Sequence, residues 1–209
     1  MKNSYQTVST VDELEQLQGT PGRLAANKVI HHLDEHSKTF LRHSPFAVIS
    51  TSSADGSCDS SPRGDGPGFV HILDAKNLVL PERMGNKRMD SMRNLIENPK
   101  IGLLFMIPGL DETLRINGSA QIIKDPSLMQ KMEEKGHVPN VGILITVDEC
   151  YIHCAKALKR SHLWHPEQWP DVSRVSNPAK MMASHAKLDD LDEAKVQEAL
   201  NESYTQRLY

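Results

Sequence analysis

At 209 residues the chain is sized for one domain with additions rather than two full domains. A hydrophobic content of 38% and a charged content of 24% describe a globular protein and exclude a disordered or collagen-like one. A net charge of −3 and a pI near 6.4 supply no broad basic field, which argues against a nucleic-acid or membrane-surface partner.

Cys58, Cys150 and Cys154 are too few, and odd in number, for a disulfide scaffold. They read as free thiols of a reducing compartment. The opening MKNSYQTVSTVDELEQL lacks the apolar centre of a signal peptide, and no stretch reaches membrane-spanning length. A cytoplasmic location is therefore expected.

In chain order, Thr10-Val-Asp-Glu13 matches a capping box and opens a short helix that stops near Gly19. Thr20-Pro21 predicts a second helix, with an apolar stripe from Leu24 through Ile30 and Leu33 to Leu41, running up to Ser44-Pro45. From Phe46 the pattern becomes short β-like runs: FAVISTSS (46–53), FVHIL (69–73), LVL (78–80), IGLLFMI (101–107), TLRINGSAQII (113–123), VGILITV (141–147) and CYIHC (150–154). Ala54-Asp55-Gly56 and Asp74–Asn77 are turn candidates, and the glycine inside TLRINGSAQII suggests a bulge. Helices are predicted over 86–97, with Met89, Met92, Leu95 and Ile96 sharing a face, and over 127–135. After Trp164 the chain turns polar and proline-bearing, then ends in an amphipathic helix carrying Leu188, Leu191, Ala199, Leu200 and Tyr204. Many short strands with tight turns and few helices predict a small antiparallel barrel, not a parallel α/β sheet. The divisions expected are a helical layer packed on the barrel (1–44), a barrel core (45–165) and a C-terminal extension (166–209).

Four stretches carry polar chemistry. Ser61-Pro-Arg-Gly-Asp-Gly-Pro-Gly68 sits between strands; it either lets backbone and Arg63 approach an anionic ligand or is a tight loop with a local Arg63–Asp65 ion pair. Gly85-Asn86-Lys87-Arg88 is read as a helix start, where basic residues oppose the dipole unless a phosphate docks; the alternative is a solvated pair. Thr113, Arg115 and Asn117 share one face of a strand, lining either a ligand site or solvent. Lys156, Lys159, Arg160 and Trp164 either reach a cofactor or cover a terminal helix. His32 and His36, four apart on the predicted helix, and His162 with His165 bring no third ligand at zinc-site spacing, so no metal is expected. No Ser–His–Asp set, P-loop or GxGxxG stands out.

The order of SPFAVISTSSADG, SPRGDGPGFVHILD, LVLPERMGNKRMDSMRNLIENPKIGLLF, PGLDETLRINGSA and HCAKALKRSHLW resembles the FMN-binding split-barrel superfamily of pyridoxamine-phosphate-oxidase-like proteins. It is closest to a bacterial branch described only as FMN-dependent enzymes. The resemblance covers roughly 20–165 and implies a mainly β, antiparallel split barrel with peripheral helices. It also implies a non-covalently bound FMN, an oxidoreductase acting on a small-molecule substrate, and a homodimer with cofactor sites at the subunit interface. Asn86, Lys87 and Arg88 fall on the family's phosphate-holding turn. Leu80, Pro81 and Glu82 fall on the segment that lies along the flavin, and Thr113 and Arg115 on a strand bordering it. Arg63 belongs to the branch's SPRGD signature, and Lys156 is a further cofactor candidate. The oxidases' Arg-x-x-Leu-Leu-Lys strand appears here only as Gly66-Pro-Gly-Phe-Val-His71, and their vitamin-B6-binding C-terminal segment has no counterpart. No catalytic acid or base is nominated; Arg63, Arg115 and Lys156 are the polar groups to mutate first. A non-catalytic flavin carrier or sensor, or a barrel holding haem or a deazaflavin, is the alternative expectation.

Overall fold

A computed structural model describes residues 5–209, so the first four residues of the predicted N-terminal layer lie outside the described part. Helix α1 (Val11–Gln18) starts as the sequence predicts. Thr10 Oγ1 accepts from the Glu13 N–H, Glu13 reaches back to the Ser9 N–H, and Gly19 ends the helix at a φ of 79°. Neither α1 nor α2 (Arg23–Asn27) buries a residue.

The single helix predicted from Thr20 to Ser44 does not form. After α2 the chain extends, and Ile30 exchanges two backbone hydrogen bonds with Cys150. Asp34 then caps a fresh helix, α3 (Glu35–His43), by accepting from the Ser37 N–H. An Asp-x-x-Ser cap, more local than the apolar stripe that crosses it, sets this boundary. His32 therefore lies outside α3 and His36 inside it, so the expected helical pair is not built.

Seven strands follow: β1 (Phe46–Ser52), β2 (Cys58–Gly64), β3 (His71–Ile72), β4 (Asn77–Pro81), β5 (Lys100–Met106), β6 (Thr113–Ile123) and β7 (Gly142–His153). All pairings are antiparallel, in the order β2-β1-β5-β6-β7-β4-β3. The sheet is open, with β2 and β3 as its edges. The architecture is thus mainly antiparallel β with peripheral helices. Two runs expected as separate strands, 141–147 and 150–154, are one long β7. Part of the stretch read as a loop, Ser61–Gly64, belongs to β2, because β1 supplies a ladder partner for every residue from Cys58 to Gly64.

Side chains of alternate residues make the core. Ala47, Ile49, Leu103, Phe105, Leu114, Ile116, Ile143 and Ile145 are essentially inaccessible, and α3 adds Phe40 and Leu41. Each of the larger apolar side chains contributes about 1.5–3 kcal/mol on burial. The predicted bulge is present at Asn117/Gly118.

The helix predicted over 86–97 is shorter, α4 (Asp90–Glu97). Met89 before it is left-handed, with a φ of 58° and no side-chain cap. Of its expected apolar face, Leu95 is buried whereas Ile96 is 77% exposed. Helix α5 (Pro126–Gln130) is also shorter than the predicted 127–135. Beyond β7 come α6 (Lys156–Ser161), α7 (Pro178–Ala186) and α8 (Glu193–Gln206). Leu188 and Leu191 precede α8 instead of lying on it. No helix among the described residues is long and apolar enough to cross a membrane.

Candidate functional site

A cavity of about 830 Å³ opens where β2, β4 and the start of α4 converge, and it is completed by residues 137–141 and Tyr209. Its size falls within the roughly 300–1,000 Å³ of small-molecule and cofactor sites. Phe69, Pro81, Met84, Met92 and Val141 give it an apolar wall, and a polar wall stands opposite.

The polar wall begins on β2. The register pairs Ala47 with Arg63 and Ile49 with Ser61, so these two β2 side chains lie on the core-facing side of the sheet at its open edge. Arg63 Nε donates to Glu82 Oε2 at 3.0 Å, with both side chains mostly covered. Asp65 Oδ2 accepts from Arg83 Nε at 2.6 Å. The local Arg63–Asp65 pair offered as one reading of the sequence is therefore replaced by two cross-loop pairs. They tie the SPRGD segment to the stretch after β4, where the Glu82 N–H donates to the Val141 carbonyl.

Burial pushes the Asp65 carboxyl up. Hydrogen bonds from Tyr209, the Gly66 N–H and Arg83, together with the Arg83 charge, outweigh it and hold the group below the usual carboxylate value. Arg83 is left with a buried Nη1 that has no hydrogen-bond partner. A buried guanidinium nitrogen with no acceptor is costly, and His153 Nδ1, away from the cavity, is buried without a partner as well.

The stretch Gly85–Met89 is a loop before α4 and not the helix's first turn. Asn86 Oδ1 accepts from the Arg88 N–H at 3.0 Å, and Lys87 is left-handed with a φ of 61°. Arg88 Nε pairs with Asp90 Oδ2 at 2.8 Å on the surface, which raises the guanidinium pKa. Lys87 has no ion pair among the described residues. The dipole argument for a misplaced basic pair thus changes form, since the cations sit on a bent loop beside the cavity.

Of the residues named from the sequence, Arg63, Pro81, Glu82, Asn86, Lys87 and Arg88 line this one cavity. Leu80 is fully buried beneath it in the core and pairs with Ile143. Thr113, Arg115 and Lys156 do not line the cavity of this chain. Thr113 is buried opposite His153, and Arg115 Nη1 donates to Tyr151 Oη at 3.1 Å. Arg115 and Lys28 both lie over the Tyr151 ring, at 5.7 and 5.2 Å from its centroid. Burial, then the charges of Arg115 and Lys28, lower the His153 pKa. The row Val48–Leu104–Arg115–Tyr151 runs across four strands on the face opposite the core. Lys156 is exposed at the start of α6.

Arg83, His137 and Tyr209 were not expected. Arg83 directly follows Glu82, and its cationic fork was the only local signal for it. Nothing near Tyr209 in sequence marks it, because its role comes from folding back onto Asp65. Among the described residues no group of His, Cys, Asp and Glu is arranged to hold a metal ion.

A model of the pyridoxamine 5′-phosphate oxidase family matches residues 33–154, more than half of the chain. No curated protein matches the sequence. Among solved structures, HupZ of Group A Streptococcus is similar at 18% identity and a TM-score of 0.47, over 57% of this chain and 92% of that one. An FMN-binding protein from Syntrophomonas wolfei is similar at 7% identity and a TM-score of 0.43, over 54% and 79%. A Clostridium acetobutylicum protein of the pyridoxinephosphate oxidase family, related to general stress protein 26, is similar at 17% identity and a TM-score of 0.41, over 56% and 87%.

Proposed function

Because the chain belongs to the pyridoxamine 5′-phosphate oxidase family, we propose that it is an FMN-dependent oxidoreductase acting on a small molecule, its open sheet being the split barrel of that family. The observation that carries the reading is an 830 Å³ cavity whose lining brings Arg83, Lys87 and Arg88 together with an apolar wall. Lys87 and Arg88 stand on the loop that the family uses for the cofactor phosphate. The residues present fit the group: the lining includes the cations Arg83, Lys87 and Arg88, and the apolar Phe69, Pro81, Met84 and Met92 suit a planar ring system.

Arg83 and Lys87 would hold the phosphate, with Arg88 completing the charge. Glu82 keeps Arg63 oriented at the cavity edge. When bound, FMN supplies the electron-transfer chemistry, and the protein positions it, excludes water and shapes its field. Thr113 and Arg115, on β6, and Lys156, on α6, do not reach the cavity of their own chain. A homodimer resolves this, with Thr113, Arg115 and Lys156 of one protomer presented to the cavity of its partner.

The test is direct. Protein purified with excess FMN shows flavin absorption and binds FMN at micromolar concentration; failure to do so sinks the proposal. Arg83→Ala, and separately the Lys87→Ala/Arg88→Ala double variant, weaken FMN at least tenfold while riboflavin affinity stays within about twofold, since a hydrogen bond to a charged group is worth about 1.5–3 kcal/mol. Equal loss of both ligands would remove the phosphate from this loop. Steady NAD(P)H-dependent turnover separates an enzyme from a flavin carrier.

A further inference from the structure

Tyr209 and Asp65 are 144 residues apart in sequence, yet the Tyr209 phenol donates to Asp65 Oδ1 at 2.8 Å. The ring lines the cavity and lies 6.3 Å from the His137 ring, with the Lys135 ammonium 4.5 Å from its centroid. Helix α8 delivers this residue. It is anchored to α7 through the buried Ala179 and Val196 and by Asn177 with Gln197, and residues 207–209 leave its end without helical structure.

The acceptor is unusual. The Asp65 side chain is only 2% exposed, and its two oxygens divide their work. Oδ1 takes Tyr209 and the Gly66 N–H, while Oδ2 takes Arg83 Nε. If Tyr209 leaves, the carboxylate still has Arg83 and Gly66, so no buried charge is stranded. A contact of that kind can open and close without unfolding its surroundings. The hydrogen bond to Asp65 and then burial raise the Tyr209 pKa.

We propose that residues 207–209 form a strap whose Tyr209, latched on Asp65, closes one wall of the cavity and sets how fast a bound cofactor leaves. This rests on the FMN reading above. One carboxylate serves both the latch, through Oδ1, and Arg83, through Oδ2, so Arg83 stays in place while the strap opens and closes. Tyr209 is a positioning residue, and it takes no part in electron transfer.

The full-length protein loaded with FMN is the material for the test, and flavin fluorescence after dilution reports release. Tyr209→Phe keeps the ring and loses the latch, while Tyr209→Ala loses both. Release becomes roughly tenfold faster in Tyr209→Phe and faster still in Tyr209→Ala, as expected for losing a hydrogen bond to a charged acceptor. Backbone hydrogen exchange at His137, whose amide bonds the Glu134 carbonyl and whose ring neighbours Tyr209, rises in both variants, while far-UV circular dichroism is unchanged. Release within twofold of wild type in both variants overturns the strap and leaves the FMN reading standing. Wild-type protein that binds no FMN overturns the cofactor reading instead. Exchange in the cofactor-free chain then decides the latch: faster in Tyr209→Phe supports it, and unchanged overturns it.

Discussion

A methyl group added at Gly118 would sit 2.1 Å from the Thr146 carbonyl oxygen, with further backbone close behind it. All of the nearby atoms are β7 backbone, so no flexible side chain is there to give way. Gly118→Ala is therefore expected to cost about 1–3 kcal/mol through overpacking, lowering Tm by about 2–4 °C per kcal/mol for a chain of this size. Thermal denaturation checks it, and an unchanged Tm would mean that β6 and β7 separate easily at the bulge. The glycine was legible in the sequence as a bulge because it interrupts an alternating run. Arg83 was less legible: its position beside Glu82 is local, but its exchange of partners with Asp65 is not. Two residues read as a pair in sequence, Arg63 and Asp65, each found a different partner 19 and 18 residues away. Charge pairing in folded chains follows distance in space, and the sequence offers only the nearest candidate.

Among elements, the strands were the easier to read. Period-two alternation and turn residues located six of the seven, and β2 escaped because its Ser-Ser-Pro-Arg-Gly run has no apolar alternation and earns its ladder from β1 alone. Helices were harder where tertiary contacts cut them. The Ile30–Cys150 bridge breaks one predicted helix, and the left-handed Lys87 and Met89 delay the start of α4. By contrast α1 is local in every respect, capped by its own residues and buried against nothing. An eight-residue helix is marginal on its own, so Thr10→Ala, which removes a cap worth about 1 kcal/mol, should abolish protection of α1 in hydrogen exchange. The Tm of the sheet should not move; a drop of several degrees would mean that α1 packs on something in solution.

At the scale of the whole molecule, the sheet has one sealed face and one half-open face. On the second, Val48 and Leu104 lie beside Arg115 and Tyr151, and Phe46 is 37% exposed. The homodimer proposed above covers this face with a second copy. Leu104→Arg should then yield a monomer in sedimentation velocity and weaken FMN at least tenfold, although Leu104 lines no cavity in its own chain. A variant that stays dimeric with full affinity would place the interface elsewhere. The family and the antiparallel strands were visible in the sequence, and so was the basic stretch, although as a helix start and not as the loop it forms. The cavity as an object was not, because its walls come from segments that only the folded topology brings together.

Pairing of β4 with β7 joins Pro81 to Gly142, and Tyr209 adds its wall from farther still. Such long closures carry an entropic cost that must be met before contacts reward it. The local hairpin of β1 and β2 can form early, but the pocket can mature only when segments as far apart as Ser61 and Tyr209 have found their places. A chain still emerging from the ribosome therefore has no finished cavity, and anything that binds there waits until residues 137–141 and Tyr209 have docked.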